Sequence, residues 1–251
     1  MKFAGIIAEY DPFHNGHAWQ LAQAKALGAE RVAVAMSCSL VQRGALPLLP
    51  EAVRTRSALT CGADLVFALP APCACAGAEA FARAGVALLA AAGCDGLVFG
   101  AETPDAALLM EAAELLDSGS YRAALKAQLA GGARSFAAAR QAAAAKLASD
   151  ERVAALLDKP NNNLAVEYCR AIRSLAPRME AYPLPRQGAN HGEALHSAHG
   201  QFASASALRK LWAEGGADAV APYVPEAVFP LYQEAYAAGQ YTDFSATGRC
   251  E

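Results

Sequence analysis

An apolar run, Phe3–Ala8, gives way to Glu9-Tyr10-Asp11-Pro12-Phe13-His14-Asn15-Gly16-His17, and this transition constrains the fold more than any other stretch of the chain. The run predicts a first β-strand, and the Pro-Asn-Gly stretch after it predicts a turn into a helix over residues 16–27. A second apolar run at residues 31–36 completes a β-α-β unit, which implies a right-handed parallel crossover. Parallel α/β sheets place ligands beyond the carboxyl ends of their strands, at helix N-termini. Unpaired N–H groups and the helix dipole favour an anion there. Gly16 removes a Cβ that would keep a phosphate from the backbone. His14 and His17, three residues apart, share a helical face, so both rings can reach one phosphate chain. Zinc needs a third ligand that this pair does not supply. The stretch therefore reads as a nucleoside triphosphate site whose histidines stabilise charge on the phosphates being cleaved.

The rest of the chain continues the alternation. Trp19, Leu21, Ala22 and Ala26 are spaced as a helical face, and Gly28 is a helix stop. Residues 54–61 predict a helix, 64–69 a buried strand ended by Pro70, 76–92 a helix, and 96–99 a short strand. From about 103 to 159 the sequence turns Ala-rich and helical, which predicts an inserted helical subdomain. Helices follow at 162–174 and 204–212, with a strand at 179–184 between them. Residues 187–201 read as a Gly- and His-rich loop, and 225–238 as a last helical piece. The expected fold is α/β, a Rossmann-like parallel sheet with an Ala-rich helical insertion. Residues 1–215 form its nucleotide-binding domain, and 216–251 a short C-terminal extension.

The chain has 251 residues, 55% hydrophobic and 18% charged, enough for one large globular domain. No uncharged run is long enough to span a membrane, and the N-terminus reads as a strand rather than a signal peptide. Seven irregularly spaced cysteines read as reduced thiols, most of them buried, and point to the cytoplasm. The net charge of −3 lends no support to nucleic-acid binding.

Several further constellations carry chemistry. Ser204-x-Ser206-x-x-Arg209 is either an anion cradle at a helix start or an ordinary N-cap with a solvated arginine. Gly100, just past a strand, would let an adenine or ribose lie against backbone. Pro160-Asn161-Asn162-Asn163 opens a helix, so one Asn should cap it and another should be free for a ligand. Arg186, just past a strand, offers a charge-assisted contact. Arg43, in Gln42-Arg43-Gly44, meets a phosphate or substrate carboxylate, or is a surface-loop arginine. His191, His196 and His199, with Glu193, have spacing too weak to assign a metal, and no metal site is expected beyond Mg²⁺ travelling with a nucleotide.

Asp-Pro-Phe-His-Asn-Gly-His resembles the His-x-Gly-His signature of the nucleotidylyltransferase superfamily. The longer pattern resembles the tRNA(Met) cytidine acetate ligases. It comprises Glu9 to His17, Met36-Ser37, Gln42-Arg43-Gly44, Gly62 to Val66, Phe99-Gly100-Ala101-Glu102, Pro160-Asn161-Asn162 and Ala203 to Arg209. The resemblance implies an ATP-dependent, adenylate-forming enzyme. Its catalytic residues would be His14, His17 and Arg209. Its ATP contacts would be Ile7, Glu9, Tyr10, Pro12, Phe13, Asn15, Gly16, Gly100, Asn161, Asn162, Arg186, Ser204 and Ser206. Gln42 and Arg43 would face the substrate. The implied partners are ATP, a small carboxylate such as acetate, and elongator tRNA(Met), whose wobble cytidine accepts the acetyl group. Departures lie at Asp11 (usually Asn), at Cys38-Ser39-Leu40, at Ala45-Leu46 and at Glu51, where the family carries lysine; Arg54 matches. Family members also continue into a C-terminal segment that this chain is expected to lack. These departures keep two other readings open: a paralogue acting on another small acid or metabolite, and an ATP-binding module without turnover.

Overall fold

The computed structural model describes residues 1–186, 195–197 and 200–243, apart from the side chains of Arg43 and of residues 195–201. Five parallel strands, β1 (Phe3–Ala8), β2 (Arg31–Ser37), β3 (Leu65–Leu69), β4 (Gly96–Ala101) and β5 (Glu180–Pro185), form one sheet in the order β3-β2-β1-β4-β5. The chain steps outward from β1 through β2 to β3, then returns to the other side of β1 with β4. The order therefore reverses between β1 and β4, which opens a crevice at their carboxyl ends.

Side chains alternate between the two sheet faces. Ala33, Ala35, Leu97 and Phe99 enter one core beneath α4 (Ala78–Ala91), α5 (Ala106–Asp117) and α9 (Pro160–Leu175). Ile6, Val32, Val34 and Val98 enter the other, beneath α1 (Asn15–Ala26), α2 (Glu51–Thr60), α10 (Ala205–Ala219) and α11 (Phe229–Ala237). The helix expected over residues 76–92 forms as the single helix α4, and a separate four-residue helix, α3 (Ala71–Ala74), precedes it. Gly85 lets α4 sit directly on β1, since a Cβ there would lie 2.5 Å from Ile7 Cδ1. On α1 the buried residues are Asn15, Leu21 and Ala24, while Ala22 and Ala26 are exposed. The expected apolar face was thus displaced, because alanine is too small to mark a face by itself.

The Ala-rich stretch forms α5, α6 (Gly119–Ala130), α7 (Phe136–Leu147) and α8 (Glu151–Leu156). Asp105, Ser118, Ser135 and Asp150 cap these four helices through their side chains. Glu167 on α9, almost wholly buried, binds Arg140 of α7 and Arg170 (2.7 Å), and Arg170 also reaches Asp117 at 2.7 Å. This network fastens the helical layer to α9. A cavity of about 580 Å³ beside it involves none of the sequence-predicted site residues.

Residues 216–243 enter the same core as α1 and α2, through Val220, Val228 and Tyr232. Tyr232 donates from its hydroxyl to the Phe13 carbonyl at 2.6 Å. Thr242 bonds to Leu48 (2.8 Å) and Pro47 (2.6 Å). The last helix is shorter than expected, Phe229–Ala237. In the stretch read as a loop, Leu195–Ser197 and Gly200–Phe202 pair as a short antiparallel hairpin. Cys38, Cys94 and Cys169 are buried, but Cys61, Cys73 and Cys75 are only half-buried, and all six are free.

Candidate active site

His14 is the N-cap of α1. Its backbone is extended, and its Nδ1 accepts the Gly16 N–H at 3.0 Å. His17 reciprocates, its Nδ1 accepting the His14 N–H at 3.3 Å. This is a capping box built from two imidazoles. An Nδ1 that accepts carries no proton, so each neutral ring holds its proton on Nε2. The rings stack with centroids 3.8 Å apart, and Tyr10 packs edge-on to His17 at 4.8 Å. Burial, reinforced by the Arg186 charge, lowers the His14 pKa to about 3. Burial, His14 and Arg186 hold His17 well below its ordinary value. At neutral pH the pair therefore presents two uncharged Nε2–H donors side by side. Gly16 is required by the cap itself, because a Cβ there would sit 2.9 Å from His14 Cε1.

Arg209, one turn into α10, reaches back to the loop after β1. Its Nη1 donates to the Asp11 carbonyl at 2.7 Å and to the Asp11 carboxylate at 3.2 Å. The solvated-arginine alternative is thereby overturned. Ser204 is the N-cap of α10, accepting from the Ala207 N–H at 3.2 Å, and its Oγ lies 3.1 Å from Ser206 Oγ. Both serines are exposed on the arginine's own helix.

The loop after β1 is held by its own acids. Glu9 Oε1 accepts the Gln42 N–H at 2.6 Å, and Asp11 Oδ1 accepts the Leu48 N–H at 2.6 Å. Burial raises the Glu9 carboxyl above its ordinary pKa against the pull of the Gln42 bond. Tyr10 adopts a left-handed backbone (φ 50) and is buried, its hydroxyl without a partner among the described residues. The Asp11–Pro12 peptide is cis. Pro12 and Phe13 are buried, Ile7 is half-buried against α4, and Asn15 Nδ2 donates to the Pro222 carbonyl at 3.2 Å. These side chains shape the loop from within.

Arg54 was assigned no role from the sequence and holds this region together. It is fully buried and donates to the carbonyls of Leu49 (3.0 Å), Glu9 (2.7 Å), Ser37 (2.6 Å) and Cys38. Burial presses its pKa down, opposed chiefly by Asp11. Its match to the resembled family was the one available signal. Gln42–Gly44 form a 3₁₀ turn beside it.

Across the crevice, β4 runs on to Ala101, so Gly100 lies within the strand rather than after it. A Cβ on Gly100 would stand 3.5 Å from Arg186 Cγ. The Arg186 N–H donates to the Ala101 carbonyl at 3.3 Å. The expected Asn cap of α9 is overturned. Lys159 is the N-cap, without a side-chain bond, and Pro160 takes the first helical position. Glu102 supplies the acceptors instead, with Oε1 bonding Asn161 N (3.2 Å) and Nδ2 (2.6 Å) and Oε2 bonding Asn162 N (2.7 Å). The Asn162 side chain is buried and spent on Thr103.

The fold thus brings His14, His17 and Arg186 together at the switch point, with Gly100 beside Arg186, Asn161 behind it on Glu102, and Arg209 on the facing helix. Gln42 reaches the region through its backbone, and the Arg43 side chain lies outside the described residues. Among the described residues no group of three or more His, Cys, Asp or Glu could hold a metal ion. His191, Glu193 and His199 lie outside the described residues, as does the His196 side chain.

A tRNA(Met) cytidine acetate ligase from Syntrophotalea carbinolica is 41% identical over 218 residues, covering 86% of this chain and 52% of that protein. Another from Caldanaerobacter subterraneus is 35% identical over 244 residues, covering 96% of this chain and 60% of that protein. The crystal structure of Thermotoga maritima TmcAL bound with alpha-thio ATP matches with a TM-score of 0.86 at 30% identity, covering 96% of this chain and 57% of that one. The chain therefore spans between half and two thirds of the length of these relatives. The family model for HIGH Nucleotidyl Transferase matches residues 1–248, and the chain belongs to that family.

Proposed function

We propose that the chain binds ATP in the crevice between β1 and β4 and joins a small carboxylate, acetate in the first instance, to its α-phosphate. The observation that carries this reading is the imidazole capping box at the switch point, facing Arg186 and flanked by Arg209. A carboxylate oxygen attacks the α-phosphorus, and the bond to the bridging oxygen of the β-phosphate breaks. Pyrophosphate leaves with the bonding pair. Negative charge grows on the phosphate oxygens, and the protein meets it with donors fixed in advance rather than with a nucleophile. The Nε2–H groups of His14 and His17 donate without carrying charge of their own. Arg186 and Arg209 supply the positive charge. The exposed hydroxyls of Ser204 and Ser206 lie on the helix that carries Arg209.

The relatives are named tRNA(Met) cytidine acetate ligases, and the proposal extends accordingly: the acetyl group passes from the adenylate to the exocyclic amine of a tRNA(Met) cytidine, with AMP released. A second reading, a different small acid as substrate, follows from the departures from the resembled family at Cys38, Ser39 and Glu51, which line one cavity. This cavity of about 650 Å³ lies at the carboxyl end of β2, and Tyr241 also lines it. Incubation with ATP, acetate and hydroxylamine tests the reading, because an acyl adenylate is captured as the hydroxamate. Acetohydroxamate that forms only with ATP supports acetate. Hydroxamate from another acid supports the second substrate. ATP binding with no hydroxamate from any acid would leave a binding module.

A further inference from the structure

Glu102 is 59 residues from Asn161, in the first turn of the helix whose start it occupies. Pro160 has no N–H to offer, so the first unpaired donors of α9 belong to Asn161 and Asn162. Both go to the Glu102 carboxylate, one to each oxygen. A third donor, Asn161 Nδ2, joins Oε1 at 2.6 Å. Burial works against the charged carboxyl, but these bonds hold its pKa below the ordinary value.

An ionised carboxylate only accepts, so the atom of Asn161 facing it must be the amide nitrogen. The orientation of the Asn161 amide is thus dictated by Glu102. The nitrogen points to Glu102, and Oδ1 is left without a partner among the described residues. The flanking backbone ties the same turn to the candidate site. Gly100 precedes it, Ala101 accepts from Arg186, and Thr103 immobilises Asn162.

We infer that Glu102 is a positioning residue that fixes Asn161 with its carbonyl oxygen toward the nucleotide, so that Asn161 recognises a hydrogen-bond donor of the nucleoside. An acceptor at this place selects an exocyclic amine or a ribose hydroxyl and disfavours phosphate oxygens, which have no proton to give. The inference rests on the ATP-binding reading above and adds to it the part of ATP that this edge of the crevice reads.

Calorimetry with ATP, GTP, 2′-deoxy-ATP and 3′-deoxy-ATP tests it on wild type, Glu102→Gln and Asn161→Ala. GTP replaces the adenine amine with a carbonyl, and each deoxy analogue removes one hydroxyl. Wild type is expected to prefer ATP over one of the three by on the order of 10-fold, the discrimination worth one good hydrogen bond. In Glu102→Gln the side chain at position 102 carries its own N–H donors, Asn161 is free to turn, and that preference should fall to within about 2-fold. Asn161→Ala leaves the backbone cap intact and should lose the same preference. A mere helix cap would weaken all four ligands equally. An unchanged preference in either variant would therefore overturn the inference. Equal affinities for all four ligands in wild type would overturn it as well, while leaving ATP binding in place. Absence of ATP binding by wild type would overturn the underlying reading.

Discussion

Arg209 and Asp11 are 198 residues apart, and one guanidinium nitrogen of the arginine binds both the backbone carbonyl and the carboxylate of the aspartate. This contact joins α10 to the loop after β1, three residues ahead of His14, the first of the histidine pair. The carboxylate's other oxygen is committed to the Leu48 N–H.

Asp11→Ala should leave that buried N–H unsatisfied and lower stability by about 1–3 kcal/mol in urea unfolding. Asp11→Asn keeps an acceptor for Leu48 and should lose less. It also relieves the charge that holds Arg209, so its affinity for ATP should match or exceed that of wild type.

Arg54→Ala strips four carbonyl oxygens of their donor in a dry region. We expect a loss on the order of 3–5 kcal/mol, read as a fall in the denaturation midpoint, with nucleotide affinity lost as the two loops separate. Arg54→Lys cannot span four acceptors from one nitrogen and should recover only part of this.

Acid should destabilise the fold through the histidines. Their folded pKa values lie below the unfolded 6.5, His14 at about 3. Between those limits the unfolded chain binds more protons, so stability is complete above about pH 6.5 and falls as pH drops. Each histidine contributes a slope of up to about 1.4 kcal/mol per pH unit. Glu9, whose folded pKa is raised, acts in the opposite sense: its contribution is lost as pH rises through its folded value. Denaturation curves across this window should be shallower for His17→Gln than for wild type.

Gly16→Ala should force the His14 ring off its cap, since the added methyl would lie 2.9 Å from the ring. Turnover should drop by at least about 10-fold, while stability changes by only about 1 kcal/mol, the size of a lost cap. Steady-state kinetics and a thermal melt separate the two.

Much of this was legible from the chain. The strand Phe3–Ala8 was placed to the residue because a continuous apolar run ended by a polar, Pro-containing turn has few other readings. The motif after it points to the carboxyl edge of the sheet, where the candidate site lies. Partnerships between distant residues were not legible. Neither the capture of α9 by Glu102 nor the bond between Arg209 and Asp11 leaves a periodic trace, and Arg54 looks like any arginine in a short helix. The run Asn161–Asn163 promises an asparagine cap because that residue favours helix starts, yet Lys159 takes the position. Here Pro160 takes the first helical position, and Glu102, just past the end of β4, provides the acceptors.

On the proposed reading, the histidine pair stabilises charge on an ATP whose α-phosphate is attacked by a carboxylate. Exchange of labelled pyrophosphate into ATP, with and without acetate, tests it most directly in wild type and His17→Ala. The account predicts acetate-dependent exchange in wild type and a loss on the order of 100- to 1,000-fold in the variant, with ATP still bound. Exchange that survives the loss of His17, or ATP binding without exchange for any carboxylate, would contradict it.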